Sequence, residues 1–348
     1  MEYKRRAKRP LSFQSMTDIE FLCGDDHLLH RTHLRKDQMT IALKTIAEPA
    51  PENGQRAIAK AYNEAGERYL NYADGSLARL YGFDSQYSFG DQQTWAAIED
   101  RLHRLRLSGQ RSLRLLDLGC GPGTWLRRTV DRAHQMGFTE IVARGVDLSD
   151  SQIERARALS HVLSARAGIS LTFEAGDIRT AFSEGDKSVD LCLCLYGVLN
   201  HVAVSELDAI MREIARVTAG QFIATVRTVG STPTIYVEAV SAARSFHQNN
   251  RRDRLDVEFQ NGRLTSFNSH LFSRKEIRTL IAPHMKIDDL RGLDLFHGRF
   301  STDPRWNPES AQSTNGFMRE LAALETRYSR DPEFMDHATH LLIVAGAQ

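Results

Sequence analysis

The stretch LRLLDLGCGPGTW, residues 113–125, decides how the rest of the chain is read. An apolar, strand-like run carries Asp117 near its end. Three glycines follow at alternate positions, Gly119, Gly121 and Gly123, and a helical pattern begins just after them. Glycine is placed where the backbone must turn tightly or where another group must come closer than a side chain would allow. Strand, glycine turn and helix in that order is the context of a nucleotide-binding site, with the ligand against backbone N–H groups at the start of a helix. Two familiar forms fit poorly. A dinucleotide turn reads G-x-G-x-x-G, but here the third glycine comes one residue early, Pro122 sits inside, and Thr124 stands where the last glycine would be needed. A P-loop requires a lysine in the G-K-[ST] arrangement, which is absent.

After the turn, strand and helix signals alternate. Strand-like runs are IVARGVDL (141–148), SLTFEAGD (170–177), VDLCLCLY (189–196) and QFIATVRT (221–228). Between them lie helical stretches at residues 125–136, 149–167 and 205–218. Strands apolar on both faces predict a parallel sheet covered by helices on both sides. Toward the end, residues 255–272 predict a hairpin turning at Asn261-Gly262, followed by a helix that Ser273 caps, a strand within 286–296, a helix over 317–328 and a closing strand over 339–347. Before the turn, apolar residues spaced three or four apart, with Tyr62, Tyr69 and Tyr72 among them, predict helices within 56–73 and 90–105. These tyrosines read as core residues first; closure of one of them over a ligand is the rival reading.

The chain has 348 residues and a net charge of +1, so no global field points to nucleic acid or an anionic membrane as main partner. Cys23, Cys120, Cys192 and Cys194 form no Cys-x-x-Cys pair and no zinc-like spacing with histidine, which fits a reduced, cytoplasmic protein. No segment reads as a signal peptide or a membrane span. Residues 1–54 read as an amino-terminal arm and linker, ending in AEPAPENG (47–54), with a small basic cluster from Lys4 to Arg9. The histidine pairs His30 and His33, and His337 and His340, lack a carboxylate pattern that would make a metal site, and no metal is expected.

LLDLGCGPG resembles the first motif of class I S-adenosylmethionine-dependent methyltransferases, and three further motifs appear in order. GVDLS (145–149) resembles the second, EAGDI (174–178) the third and CLYGVLNHV (194–202) the fourth. The resemblance implies a Rossmann-like α/β fold with a mostly parallel seven-stranded sheet, helices on both faces and an amino-terminal helical extension. Its implied cofactor is S-adenosyl-L-methionine, held by Asp117, Gly119, Cys120, Gly121, Gly123, Asp147, Leu148, Asp177, Ile178 and Leu195. Asp147 would take the two ribose hydroxyls, Asp177 would face the adenine amino group with Ile178 against the ring, and Asp117 would balance the ammonium or else tie the turn. Chemistry supports the ribose role separately, because one carboxylate can accept from both hydroxyls of a cis-diol. Residues 55–110 are then a helical substrate-covering segment and 111–348 the methyltransferase domain, with 228–300 as a specificity region.

Catalytic candidates are His201, which can accept a proton near the expected acceptor position or else cap and orient, and Tyr196. Asn200 and Arg227 have the same address at strand ends. Cys120 reads as packing within the turn, and His270, His297 and Arg299 carry little weight. The expected reaction is methyl transfer by in-line displacement to an oxygen, nitrogen or carbon of a small molecule. Alternatives are methylation of tRNA or protein, supported by the basic arm and RRDR (251–254), a cofactor-binding protein without chemistry, and a dehydrogenase.

Overall fold

The computed structural model describes residues 54–65, 80–83, 88–180, 182–231, 243–300, 304–308 and 316–347. Tyr69, Tyr72, Cys23, the Lys4–Arg9 cluster, the His30 and His33 pair and the arm up to residue 53 lie outside the described residues.

The glycine turn joins β1 (Ser112–Leu118) to α3 (Thr124–Gln135), preceded by α1 (Gly54–Ala65) and α2 (Ser88–Leu107). Then come β2 (Glu140–Asp147), α4 (Asp150–Ser164), β3 (Ile169–Ala175), β4 (Val189–Cys194), α5 (Val204–Val217) and β5 (Thr218–Arg227). Three strands of a second sheet follow, β6 (Ala243–Asn249), β7 (Arg254–Phe259) and β8 (Leu264–Asn268). Further along lie α6 (Arg274–Ile281), β9 (Lys286–Leu293), α7 (Gly316–Tyr328) and β10 (His340–Gly346), with a single helical turn at His297–Phe300.

The main sheet has seven strands in the order β3-β2-β1-β4-β5-β10-β9. Pairs among β1 to β5 are parallel, while β10 runs antiparallel to both β5 and β9. Strand order reverses between β1 and β4, and in open α/β sheets a ligand crevice forms at such a point, beyond the carboxyl ends of the strands. Both the Gly119 turn and the Tyr196 turn leave the sheet there.

Alternation along the strands sorts their side chains onto two helix layers. Leu113, Leu115, Leu191, Leu193, Leu342 and Val344 pack with α2, α3 and α4 through Trp95, Ile98, Leu126 and Ile153. Leu116, Leu118, Cys192, Cys194, Leu341 and Ile343 pack with α5 and α6 through Met211, Ile214 and Ile277. Core packing is therefore the role of Cys192 and Cys194.

The 261–262 hairpin forms between β7 and β8, with Gly262 at φ 80°. Ser273 caps α6 in a reciprocal capping box with Glu276. One strand beyond the hairpin, β6, pairs antiparallel to β7. This small sheet packs on α1 through Ile58, Ala61, Leu255, Val257, Phe259 and Phe267, with Tyr62 and Leu148 at the margin. Of the two described helices before the glycine turn, α2 is thus a layer of the sheet and α1 belongs with the small sheet.

Candidate active site

Gly119, Gly121 and Gly123 all have positive φ, at 72°, 52° and 73°. Left-handed backbone costs an ordinary residue roughly 1–2 kcal/mol, which accounts for the glycines locally. Space is the second reason at two of them. A Cβ on Gly119 would lie 2.2 Å from Val198 Cγ2, and one on Gly123 would lie 2.6 Å from Phe173 Cε1. The turn is fastened to the neighbouring strand by the Gly119 and Cys120 N–H groups, which donate to the Val146 carbonyl at 2.7 and 2.9 Å. Cys120 is buried beneath it, its thiol pushed far up by burial and the nearby carboxylates; it packs and does not line the cleft.

Asp147 ends β2 beside the turn. One carboxylate oxygen accepts from the Gly121 N–H and the other from the Ser149 N–H, each at 2.8 Å. The group is held rigidly, and each oxygen retains a lone pair for a ligand hydroxyl. Burial pushes its acid strength down, raising the pKa, and the two N–H donors oppose that. Asp117 lies one strand over and is 2% exposed, with Oδ2 unpartnered. Burial and the neighbouring Asp147 raise its pKa to about 8.

A partly open cleft lies over these groups. Gly119, Gly121, Asp147, Leu148, Ile178 and Leu195 line it on the cofactor side predicted from sequence. Tyr196 and His201 line it too, together with Tyr62, Ile58 and Gln55 from α1. Gly123 lies under the turn against Phe173. Asp177 points elsewhere: its Oδ2 takes Arg179 Nε and Nη2 at 2.8 and 2.6 Å, and Arg179 also pairs with Glu206 at 2.9 Å. The strand end is where sequence placed it, but a local arginine two residues on draws the carboxylate away from the cleft.

Tyr196 stands in left-handed backbone at φ 59°, with its N–H donating to Thr225 Oγ1 at 2.6 Å and its hydroxyl to Asp91 of α2. Its ring packs between Trp125 and His340. His201 sits on a short helical turn, Val198–His201, that Asn200 pins: the Asn200 amide donates to the Arg227 and His270 carbonyls, and its Oδ1 accepts from the Arg227 N–H. His201 Nδ1 is 2.9 Å from the Asn268 carbonyl, which can only accept, so Nδ1 carries the proton. Nε2 is left as the acceptor, 3.1 Å from the Tyr62 hydroxyl. Burial, reinforced by the Arg227 charge, lowers the His201 pKa to about 4, so the ring is neutral at pH 7. Tyr62, read from its spacing as core first and as a covering residue second, packs at the margin of the small core and also lines the cleft; only the fold brings it against His201.

Residues 115–221 match the family model described as methyltransferase domain. A curated relative, the uncharacterized 37.1 kDa protein in transposon TN4556 of Streptomyces fradiae, is 32% identical over 193 residues, covering 51% of this chain and 52% of the relative. The chain thus spans about half the length of the curated relative it matches. Among solved structures the chain is similar to an S-adenosylmethionine-dependent methyltransferase from Clostridium acetobutylicum, at 12% identity and a TM-score of 0.48, covering 81% of this chain and 98% of that one. It is also similar to geranyl diphosphate C-methyltransferase from Streptomyces coelicolor A3(2), at 16% identity and TM-score 0.47, covering 86% and 100%. Magnesium protoporphyrin IX methyltransferase from Synechocystis PCC 6803 gives 15% identity and TM-score 0.47 over 86% and 100%. The segment that builds the glycine turn, Asp147 and the short turn bearing His201 is thus the part of the chain that matches the methyltransferase-domain family model, residues 115–221.

Proposed function

We propose that the protein is an S-adenosylmethionine-dependent methyltransferase that moves a methyl group to an oxygen, nitrogen or carbon of a small metabolite or natural product. The observation that carries this reading is Asp147, whose two oxygens are oriented by separate backbone N–H groups at 2.8 Å and which faces the cleft beside the glycine turn. That arrangement suits the cis-diol of a ribose. None of the described residues lining the cleft is lysine or arginine, so the site offers no cationic cradle for a pyrophosphate and suits a ligand that itself carries positive charge. Asp117, buried next to Asp147 with an oxygen unpartnered, supplies the counter-charge for an ammonium.

When bound, S-adenosylmethionine supplies an activated methyl group. Asp147 holds the ribose hydroxyls, Leu148 and Ile178 flank the base, and the turn at Gly119 and Gly121 gives room beneath the amino acid part. The carboxylate of Asp177 joins this set only by leaving Arg179, so its contribution to adenine binding is smaller than that of Asp147. Over the cleft, α1 and the β6–β8 sheet exclude water and hold a small acceptor in line with the methyl group. Correct orientation alone is worth on the order of 7–11 kcal/mol of barrier.

Calorimetric titration with S-adenosylmethionine and S-adenosylhomocysteine tests the reading, beside NAD as control and Asp147→Ala. Loss of two hydrogen bonds to a charged group, each about 1.5–3 kcal/mol, weakens binding by about 10²-fold or more. Wild-type protein that binds NAD in preference, or neither adenosyl compound, sinks the proposal.

A further inference from the structure

Both ring nitrogens of His201 are engaged, Nδ1 by the Asn268 carbonyl and Nε2 by the Tyr62 hydroxyl, at 2.9 and 3.1 Å. An imidazole so held has no nitrogen left to meet an acceptor directly. Its partner is the group that reaches the ligand space: Tyr62 lines the same cleft as Gly119, Gly121 and Asp147, carried there by α1. Hydroxyl, neutral imidazole and a fixed third group in series is the arrangement that activates a hydroxyl for proton transfer. Building on the methyltransferase reading above, we propose that the Tyr62 hydroxyl is the catalytic residue that takes the acceptor's proton, with His201 as the positioning residue behind it that receives the Tyr62 proton.

The step balances. For an acceptor X–H, the X–C bond forms as the C–S bond breaks, with the C–S electron pair remaining on sulfur. The X–H proton goes to Tyr62 Oη while the Tyr62 proton goes to His201 Nε2. The ring is then doubly protonated, and it passes its extra proton to solvent when product leaves. The Asn268 carbonyl, which already accepts from Nδ1–H, stabilises that cation. The acceptor implied is a small molecule whose reacting atom bears a proton, a hydroxyl first among them, presented to a wall to which Ile58, Leu195, Val198 and Val202 contribute apolar surface and Gln55 and Gln152 polar groups. Among the described residues, the titratable groups facing His201 are the Tyr62 phenol from α1 and the Arg227 guanidinium at the end of β5; the small sheet presents Phe267 and a carbonyl. With His201 held near 4, the pair stays in its working form through neutral pH, and activity falls only as pH drops through about 4.

The test uses the full chain with S-adenosylmethionine and three probe acceptors, phenol, catechol and 2-naphthol, reading S-adenosylhomocysteine release against pH for wild type, Tyr62→Phe and His201→Asn. General acid–base catalysis is worth about 10²–10⁴-fold, so both variants lower kcat by about 10²-fold, lose the acid limb and keep cofactor affinity within about threefold. Full turnover in Tyr62→Phe with loss in His201→Asn would overturn the proposal, since His201 would then meet the acceptor itself. A rise in KM or in cofactor Kd without change in the pH limb would also overturn it, leaving Tyr62 as a cover residue only. If the three probes are not turned over, the ring ¹⁵N shifts of cofactor-bound protein decide. A neutral ring protonated at Nδ1, whose Nε2 signal moves in Tyr62→Phe, supports the pair; protonation at Nε2 refutes it. Failure of wild type to bind S-adenosylmethionine removes the function proposed above and this inference with it.

Discussion

Gly109 and Gly123 separate two costs that a glycine can hide. Both have positive φ, 88° and 73°, but a Cβ on Gly109 meets nothing within 4 Å, whereas one on Gly123 would lie 2.6 Å from the Phe173 ring. Gly109→Ala should therefore lose only the backbone cost, about 1–2 kcal/mol. Gly123→Ala should lose at least that much again, because the ring and Ala156 are packed in the core and cannot retreat freely. Urea unfolding of the two variants side by side checks this; equal losses would mean that Phe173 yields without cost. At this scale the sequence was legible wherever chemistry was local. The turn glycines and Asp147 sit within a few residues of the strand ends that position them. Tyr62 and His201 are 139 residues apart, and no periodicity in either segment announces their hydrogen bond. Asp177 shows the opposite case: its strand end is where the motif places it, and the carboxylate is held by Arg179 two residues on, a local pairing that motif reading does not weigh.

Helix α1 is attached to the cofactor half of the cleft by a polar latch. Ser149, which caps α4 by accepting from the Gln152 N–H, donates its own hydroxyl to Asn63 Oδ1 at 2.6 Å, and the Ser151 N–H reaches the same oxygen at 3.3 Å. Because Asn63 is exposed, removing it deprives the helix of its anchor without opening the core. Asn63→Ala should speed amide hydrogen exchange across α1 and leave global unfolding within about 0.5 kcal/mol of wild type, as expected for a local opening. An unchanged α1 exchange rate would show that the apolar contacts with the small sheet suffice to hold it. The latch explains what element-level reading could and could not deliver. Strands β1 to β5 and their helices were readable because each buries a regular face against the next in sequence. The position of α1 was not, because its apolar side is matched to Leu255, Val257 and Phe267, roughly 200 residues further on. Strand β6, sequence ARSFHQN, has too few apolar residues to show an alternating pattern, and pairing with β7 is what makes it a strand.

Over the whole molecule the net charge is only +1, but four carboxyl groups whose pKa is raised lie around the carboxyl edge of the sheet. Asp117 and Asp147 sit at β1 and β2, Asp294 just after β9 with 1% exposure, and Glu325 on α7 beside it. Burial raises the pKa of all four, that of Asp117 to about 8. Two histidines shift the other way, His201 to about 4 and His340 to about 3, in both cases chiefly by desolvation. The signs separate by pH. A histidine whose folded pKa is depressed costs stability as pH falls below its unfolded value near 6.5, so above that value neither histidine contributes a slope. Asp117, raised from 3.8, holds a proton in the folded state that the unfolded state has already released, and its stabilisation disappears as pH rises through about 8. Between pH 6.5 and 8 this single group removes about 2 kcal/mol at roughly 1.4 kcal/mol per pH unit. Wild type should thus unfold at lower urea at pH 8 than at pH 6.5, and Asp117→Asn should show a shallower fall. On the proposed function, an arriving ammonium favours the ionised Asp117, so S-adenosylmethionine binding should release a proton and strengthen as pH rises through the same interval. Calorimetry in buffers of different ionisation heat counts that proton. If binding releases none near pH 7, or if Asp117→Asn releases it equally, then Asp117 ties the turn and another group meets the ammonium.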